Sequence, residues 1–523
     1  MSTRRFVTVR RLLAVVVSAL VLVCSTSAAA DTPTGDPSAN RELSSATLQA
    51  CSAAPLGAAC VASALADINA ARVAEGVVPM TLPGDFDSLT VPEQLLVLAN
   101  LERVDRGLLA VTGLSANLDS SAAAAAVSDN DPPLPPYGGA ASANWAGGYA
   151  SPLEADFLWM YDDGLGSNND DCTSAGDPGC WGHRHDILLA FDPTLMMGAG
   201  VAGDGASLTE VFVGNDPFTG PGEPDAPLAP TWAQIAQTLP VGASTASLDL
   251  AANAPSAPLK VWASGESMDV GAAITGGGGA WRVSPSGCDL AAGSSCELTV
   301  TVSSAGRGSS DTLTLTGPGG QQTVALASQS PATLKMTVAK SRILAGSAAA
   351  VTGHLAVTGG SGAAGQPVTL DQRAVGAKAT SAVASAHTDA GGAVSFRVSP
   401  RRNTDYSLVF AGSPTLGAAS APRQEVLVAP RIKAALARRA IALGHATKLT
   451  GSVSPAESGR RVQLQLEHGR RWKAIGSAAV SRSGRFGLSV RASSAGRLRY
   501  RVVIPADSEN APGVSATVTL RVS

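Results

Sequence analysis

The sequence predicts a multidomain chain: one domain mixing helices and strands, followed by three all-β sandwiches. Three observations carry this. Helical patterning dominates the stretch before about residue 161. Beyond Asp225 the texture changes to short alternating segments such as "CELTVTV", "DTLTLTG" and "QTVALAS", separated by Gly and Ser clusters, which is how antiparallel sandwiches read. The last two hundred residues then repeat themselves: Gly353 matches Gly451 and Tyr406 matches Tyr500, spacings of 98 and 94 residues. A period near 100 residues suits an immunoglobulin-like sandwich, and 523 residues leave room for three or four domains.

The chain opens "MSTRRFVTVRRLLAVVVSALVLVCSTSAAAD". Arg4, Arg5, Arg10 and Arg11 precede an apolar run over residues 12–23, and Ala28 and Ala30 sit at minus three and minus one of a cut before Asp31. This is the layout of a secretory signal peptide, and the run is shorter than the roughly 20 residues of a membrane span. A twin-arginine signal and a lipid-modified Cys24 fit less well. The expectation is a secreted chain, free or held at the cell surface, with residues 1–30 as leader and no transmembrane anchor. Six cysteines remain after such a cut, in three close pairs: Cys51 with Cys60, Cys172 with Cys180, Cys288 with Cys296. Short loops close at least entropic cost, so these read as three local disulfides. No C-x-x-C spacing supports a thiolate metal site.

Charge is distributed unevenly. Residues 31–225 hold 27 acidic and 5 basic residues, all five arginine, whereas residues 431–523 hold 17 basic and 4 acidic. A net charge of −3 therefore hides a polarised molecule. An exported chain has little access to nucleic acid, so an anionic cell-wall polymer or lipid headgroups are the partners expected for residues 431–523.

Along the chain, the polar residues up to Leu43 read as a flexible leader. "ATLQACSAAPLGAACVASALADINAARVAEG" is helical in pattern, with Gly76 as its C-terminal stop. A second helix starts at Thr90 as N-cap with Pro92 in its first turn. The alanine run at 122–126 precedes a turn-rich "SDNDPPLPPYGG". A third helix begins at Ser151, with Pro152 first and Glu154 completing a capping box. "MMGAGVAG" and "LTEVFVG" suggest a strand pair, and "PGEPDAPLAP" a linker. The expected domains are 31–224, 225–330 with one hairpin disulfide, 331–430 and 431–523.

Three stretches resemble the CAP superfamily of cysteine-rich secretory and pathogenesis-related proteins. They are "INAARVAEG" with Asn69 and Arg72, "SANWAGGY" around Asn144 and Trp145, and "WGHRHDIL" with Trp181 and His183. The resemblance implies an α-β-α sandwich for the first domain, and a groove lined by Asn144, Trp145, Trp181 and His183. It also implies a tetrad of two histidines and two acids able to bind a divalent metal. Here the glutamate position of that motif is Ala143, and no histidine precedes His183 in the chain, so the tetrad is incomplete. Residues 280–330, with Trp281, Cys288, Leu290, Cys296 and Val300, resemble bacterial Ig-like modules.

The stretch "YDDGLGSNNDDCTSAGDPGCWGHRHDIL" concentrates the polar chemistry. If "GHRHDIL" is helical, His183 and His185 diverge and cannot share one zinc ion. Asp162, Asp163, Asp170 and Asp171 offer hard oxygen donors for calcium, though not at EF-hand spacing; otherwise no cofactor is implied. No G-x-S-x-G elbow accompanies His183. The reading is a non-enzymatic CAP-domain protein that binds a ligand or envelope component, with the Ig-like modules as spacers or surface-binding units. The alternatives are an extracellular hydrolase using His183 and a structural surface adhesin.

Overall fold

The computed structural model describes residues 35–135, 140–190, 195–203, 205–214, 227–357 and 360–523. The expected signal peptide and the first six residues of the expected linker lie outside these. The chain forms two compact units. The first comprises Met1–Met80, Asp85–Ile235 and Ser264–Glu266; the second comprises Thr81–Gly84, Ala236–Ala263 and Ser267–Ser523.

In the first unit the long helical stretch is two helices, α1 (Ser45–Ala53) and α2 (Ala58–Ala74). Pro55 cannot donate to the helical ladder and Gly57 starts the second helix from an extended conformation. The Cys51–Cys60 disulfide staples the break. Gly76 follows α2 at φ +81°, the left-handed stop that favours glycine. Helix α3 (Val91–Val104) opens with a complete capping box between Thr90 and Glu93. The alanine run, given no element from sequence, lies in a helix, α4 (Ala116–Val127). Strand β1 (Ala141–Gly147) precedes α5 (Pro152–Tyr161). There Ser151 Oγ accepts from Glu154 N at 3.4 Å, but only this half of the expected capping box forms.

Helix α6 (Gly182–Leu188) and strands β2 (Leu195–Val201) and β3 (Ser207–Gly214) complete the unit. The antiparallel sheet runs β1-β3-β2 and sets Asn144 opposite Glu210. Helix α4 covers one face, packing Leu118 and Ala122 on Met196, Val211 and Val213, with Ala141 and Ala143 beside them. Gly198 and Gly200 make this approach possible, because a Cβ at either would lie in the backbone of α4 near Leu118 or Ala123. The alternate residues of β1 reach α6: Ser142 Oγ donates to Asp186 O at 3.1 Å and Asn144 Nδ2 to His183 O at 3.2 Å.

Of the five arginines at 31–225, four are buried: Arg72, Arg103, Arg106 and Arg184. Arg72 pairs with Glu102 at 2.7 Å and with Asp105; Arg106 pairs with Glu102 and, at 2.8 Å, with Glu75; Arg184 reaches Glu75 at 3.0 Å. Tyr161 donates its hydroxyl to Glu102 at 2.9 Å. The leader expected to be flexible is tied down over its described part. Asn40 Nδ2 donates to Gly164 O at 3.2 Å, Arg41 N to Tyr161 O at 2.8 Å, and Arg184 to Gly35 O at 3.0 Å.

The second unit is almost wholly strand. Its first sandwich packs a four-stranded sheet on a five-stranded one around Leu259, Val261, Leu298, Val300, Leu313 and Val324. The expected hairpin disulfide needs correcting. Cys288 pairs in register with Val270 in the five-stranded sheet and Cys296 with Val261 in the four-stranded one, so the bridge joins the two sheets. The turn at 291–294 carries the chain across the core rather than back along the same sheet. The two repeats share one plan, each with a three-stranded and a six-stranded sheet and a buried tyrosine, Tyr406 or Tyr500, at matching positions.

Candidate functional site

The dense polar stretch folds around Asp163. Trp181 holds a left-handed backbone, φ +62°, which costs a residue of its size on the order of 1–3 kcal/mol. Two bonds to one residue hold it there: Trp181 N donates to Asp163 O at 2.9 Å and His183 N to Asp163 Oδ2 at 3.0 Å. Asp163 Oδ1 lies 2.7 Å from His183 Nδ1 and accepts from Asn169 Nδ2 at 2.6 Å. This carboxylate thus caps α6, orients the imidazole and anchors the following loop, which Cys172–Cys180 closes.

In front of this pair lies a cavity of about 220 Å³. Trp145, Tyr149, Leu158 and Trp159 supply its apolar wall; Asp131, Asp162, Asp163, Asp170, Asp171 and His183 supply its charge. Among the described lining residues there is no lysine, arginine, serine, threonine or cysteine.

The groove residues expected from sequence separate into two groups. Trp145 and His183 line the cavity. Asn144 stands behind it, donating to Glu210 Oε1 at 2.8 Å, and Trp181 packs against Gly164, where a Cβ would meet its ring. His183 and His185 diverge on α6 as helical geometry requires, with His185 Nε2 2.6 Å from Asp36 on the surface. The four candidate calcium aspartates share the cavity wall. Among the described residues, however, the one group of three potential ligand atoms within 4.8 Å of one another is Cys51, Cys60 and Glu154, and its sulfurs are consumed in a disulfide. Asp163 already spends both oxygens on His183 and Asn169.

The divalent metal implied by the family resemblance does not fit the donors present. One histidine faces the cavity, and the acid at the neighbouring strand position, Glu210, is bonded to Asn144.

Three acids escaped the sequence reading. Burial pushes Glu210 up to about 8, against the opposing hydrogen bond from Asn144. Burial likewise lifts Asp186 to about 6, opposed by His183, and raises Asp131. His183 is also raised: burial acts to lower it, but the Asp163 hydrogen bond and the charges of Asp163, Asp131 and Asp186 outweigh that. The available signal was Glu210 itself, the one charge inside the apolar run "SLTEVFVG".

No protein-family model and no curated protein sequence matches the chain. Similar solved structures include the D0-D1 domain of intimin, at 16% identity over 36% of this chain and 97% of that one, with a TM-score of 0.16. The Escherichia coli adhesin FdeC is 13% identical over 54% of this chain and 96% of that one, TM-score 0.22. A tetra-tandem repeat from the extending region of a large adhesion protein is 14% identical over 52% and 74%, TM-score 0.24. Likeness at this level does not bear on what this chain binds.

Proposed function

We propose that the chain is an exported, CAP-like binding protein whose first unit holds a small, positively charged ligand without altering it, with the sandwiches as spacers or surface-binding modules. One observation carries this: the cavity combines aromatic faces with five aspartates against a single histidine, His183, and its described lining holds no lysine, arginine, serine, threonine or cysteine. Ring faces and carboxylates both attract cations, most strongly where water is excluded. Layering supports the CAP-like reading, since α4 covers one face of the antiparallel sheet and α6 the other. So do the motif residues. Asn69 bonds both backbone groups of Met80 and Arg72 enters the buried ion network.

Thermal melting of the mature chain with choline, spermidine, glucose or acetate tests the proposal. A ligand that binds only the folded state raises the midpoint by mass action. Choline or spermidine is expected to raise the first unit's midpoint by several degrees, glucose and acetate to leave it unchanged. Asp162→Asn with Asp170→Asn is expected to abolish the rise. If no cation shifts the wild type, or the double variant shifts equally, the proposal fails. A rise with calcium alone, lost in Asp170→Ala, would make the loop an ion site instead.

The Asp163–His183 bond favours a second reading, hydrolysis by water activated on an oriented imidazole. It requires turnover of a peptide or wall fragment by the wild type that His183→Ala abolishes without unfolding the unit. Absence of turnover in the wild type removes it.

A further inference from the structure

The last sandwich carries an internal control for its own charge. Its six-stranded sheet matches that of the preceding repeat position for position, with Tyr500 pairing to Val518 as Tyr406 pairs to Gln424. At the positions that face outward in the last repeat the two differ systematically. Where the last repeat places Arg461, Arg497, Arg501 and Arg521, the preceding one has Pro367 and Leu427 and the buried Asn403 and Ser407. One ion pair is conserved with its signs exchanged: Arg499–Glu467 at 2.9 Å stands where Asp405–Arg373, at 2.7 Å, stands in the earlier repeat. That pair is neutral in both, and the four other arginines stand at positions where the preceding repeat carries no charge; across the edge pair the charge changes sides, Arg342 lying opposite Leu427 where Ala440 lies opposite Arg521.

The addition opposes stability. Arg497 and Arg521 sit directly opposite one another across adjacent antiparallel strands, both exposed, an arrangement of like charges that destabilises a sheet. On the opposite, three-stranded sheet the bases are diluted, Lys433 and Arg485 facing Ser452 and Lys448 facing Ser489. Arg497, Arg499 and Arg501 alternate along one strand and so recur about every 7 Å.

We propose that this outward face, centred on Arg497, Arg501 and Arg521, is a docking surface for a linear polymer bearing phosphate groups at regular intervals. This goes beyond the ligand reading of the first unit and does not depend on it. Regular spacing along a strand matches a repeating polyanion better than a single anion. Nucleic acid is disfavoured because the aromatic ring of the face is occupied: the Arg501 guanidinium lies 4.2 Å over the Trp472 ring, leaving that side closed to base stacking. Arg501 is further fixed by donating to Gln465 Oε1 at 2.8 Å.

The test uses the full mature chain and inorganic polyphosphate, titrated at several salt concentrations. Arg497→Asn with Arg501→Ser installs the residues the earlier repeat already tolerates. It is expected to weaken binding roughly tenfold at low salt and to reduce the salt slope by about two. Lys448→Ser with Arg485→Asn removes the same charge from the opposite sheet and is expected to leave affinity within about twofold. Folding is monitored by Arg497→Glu, which places opposite charges across the strands and is expected to raise the midpoint slightly while weakening binding. Equal losses in the two double variants would show that net charge rather than this face is responsible, and would overturn the proposal. So would absence of polyphosphate binding, or tighter binding to a single-stranded oligonucleotide or to phosphatidylglycerol vesicles.

Discussion

Glu102→Ala lowers the first unit's melting midpoint by roughly 10 °C, from a loss of about 3–5 kcal/mol at about 2–4 °C per kcal/mol for a unit of this size. Glu102 is fully buried and receives Arg72, Arg106 and the Tyr161 hydroxyl. Burial by itself raises its pKa, but the Arg72 and Arg106 charges more than compensate, so it remains an ionised carboxylate. Truncation leaves two buried guanidiniums with one shared counter-charge fewer. The cost is that stranded charge, not the lost pair, because an ion pair of good geometry only about offsets its own desolvation. Calorimetry of the full chain should show the first unit's transition move while those of the sandwiches stay fixed. A shift under about 2 °C would mean that water already reaches the network.

Glu210→Gln makes the first unit more stable at pH 8 and nearly unchanged at pH 4. Burial raises Glu210 from its ordinary carboxylate range to about 8, so the folded state holds a proton that the unfolded state releases near pH 4.5. The favourable contribution is complete below about pH 4.5 and is lost as pH rises through 8, amounting to a few kcal/mol. Asp186 and Asp119, each raised to about 6 by burial, act in the same direction over the lower part of this window, and His183, raised above its ordinary value of 6.5, acts in the same direction over the upper part. The wild-type unit is therefore expected to melt lower at pH 8 than at pH 5. Glutamine keeps an oxygen to accept from Asn144 Nδ2 and carries no titratable proton, so it should flatten that slope. Parallel pH profiles for variant and wild type would show that Glu210 titrates normally in the fold.

Signals confined to a few neighbouring residues were legible in the sequence. The Thr90–Pro92 helix start, the Gly76 stop and the three cysteine pairs each depend on groups within about ten positions, and the structure forms them all. The sandwich strands were legible because their outward faces meet solvent and leave a period of two. Helix α4 was not, since a run of alanines has no apolar contrast between its faces. Nor was the burial of Glu210: β3 is covered by helices on both sides, every residue of it is buried, and alternation disappears. Cys288 and Cys296 show the limit of local spacing. Nine positions of sequence identify the partners but not that they belong to opposite sheets.

Inward-turned arginines also determine what a digestive enzyme finds. A protease that cuts after lysine or arginine meets no lysine before Lys260, and between Arg41 and Lys260 it meets only Arg72, Arg103, Arg106 and Arg184, all buried. The last sandwich instead presents Arg470, Arg471 and Arg482 in or beside exposed turns. In its native state the acidic half of this chain is therefore nearly invisible to trypsin-like enzymes while the basic end is open to them. Proteolysis of the folded chain by such an enzyme would trim the molecule from its basic end and leave the cavity-bearing unit whole.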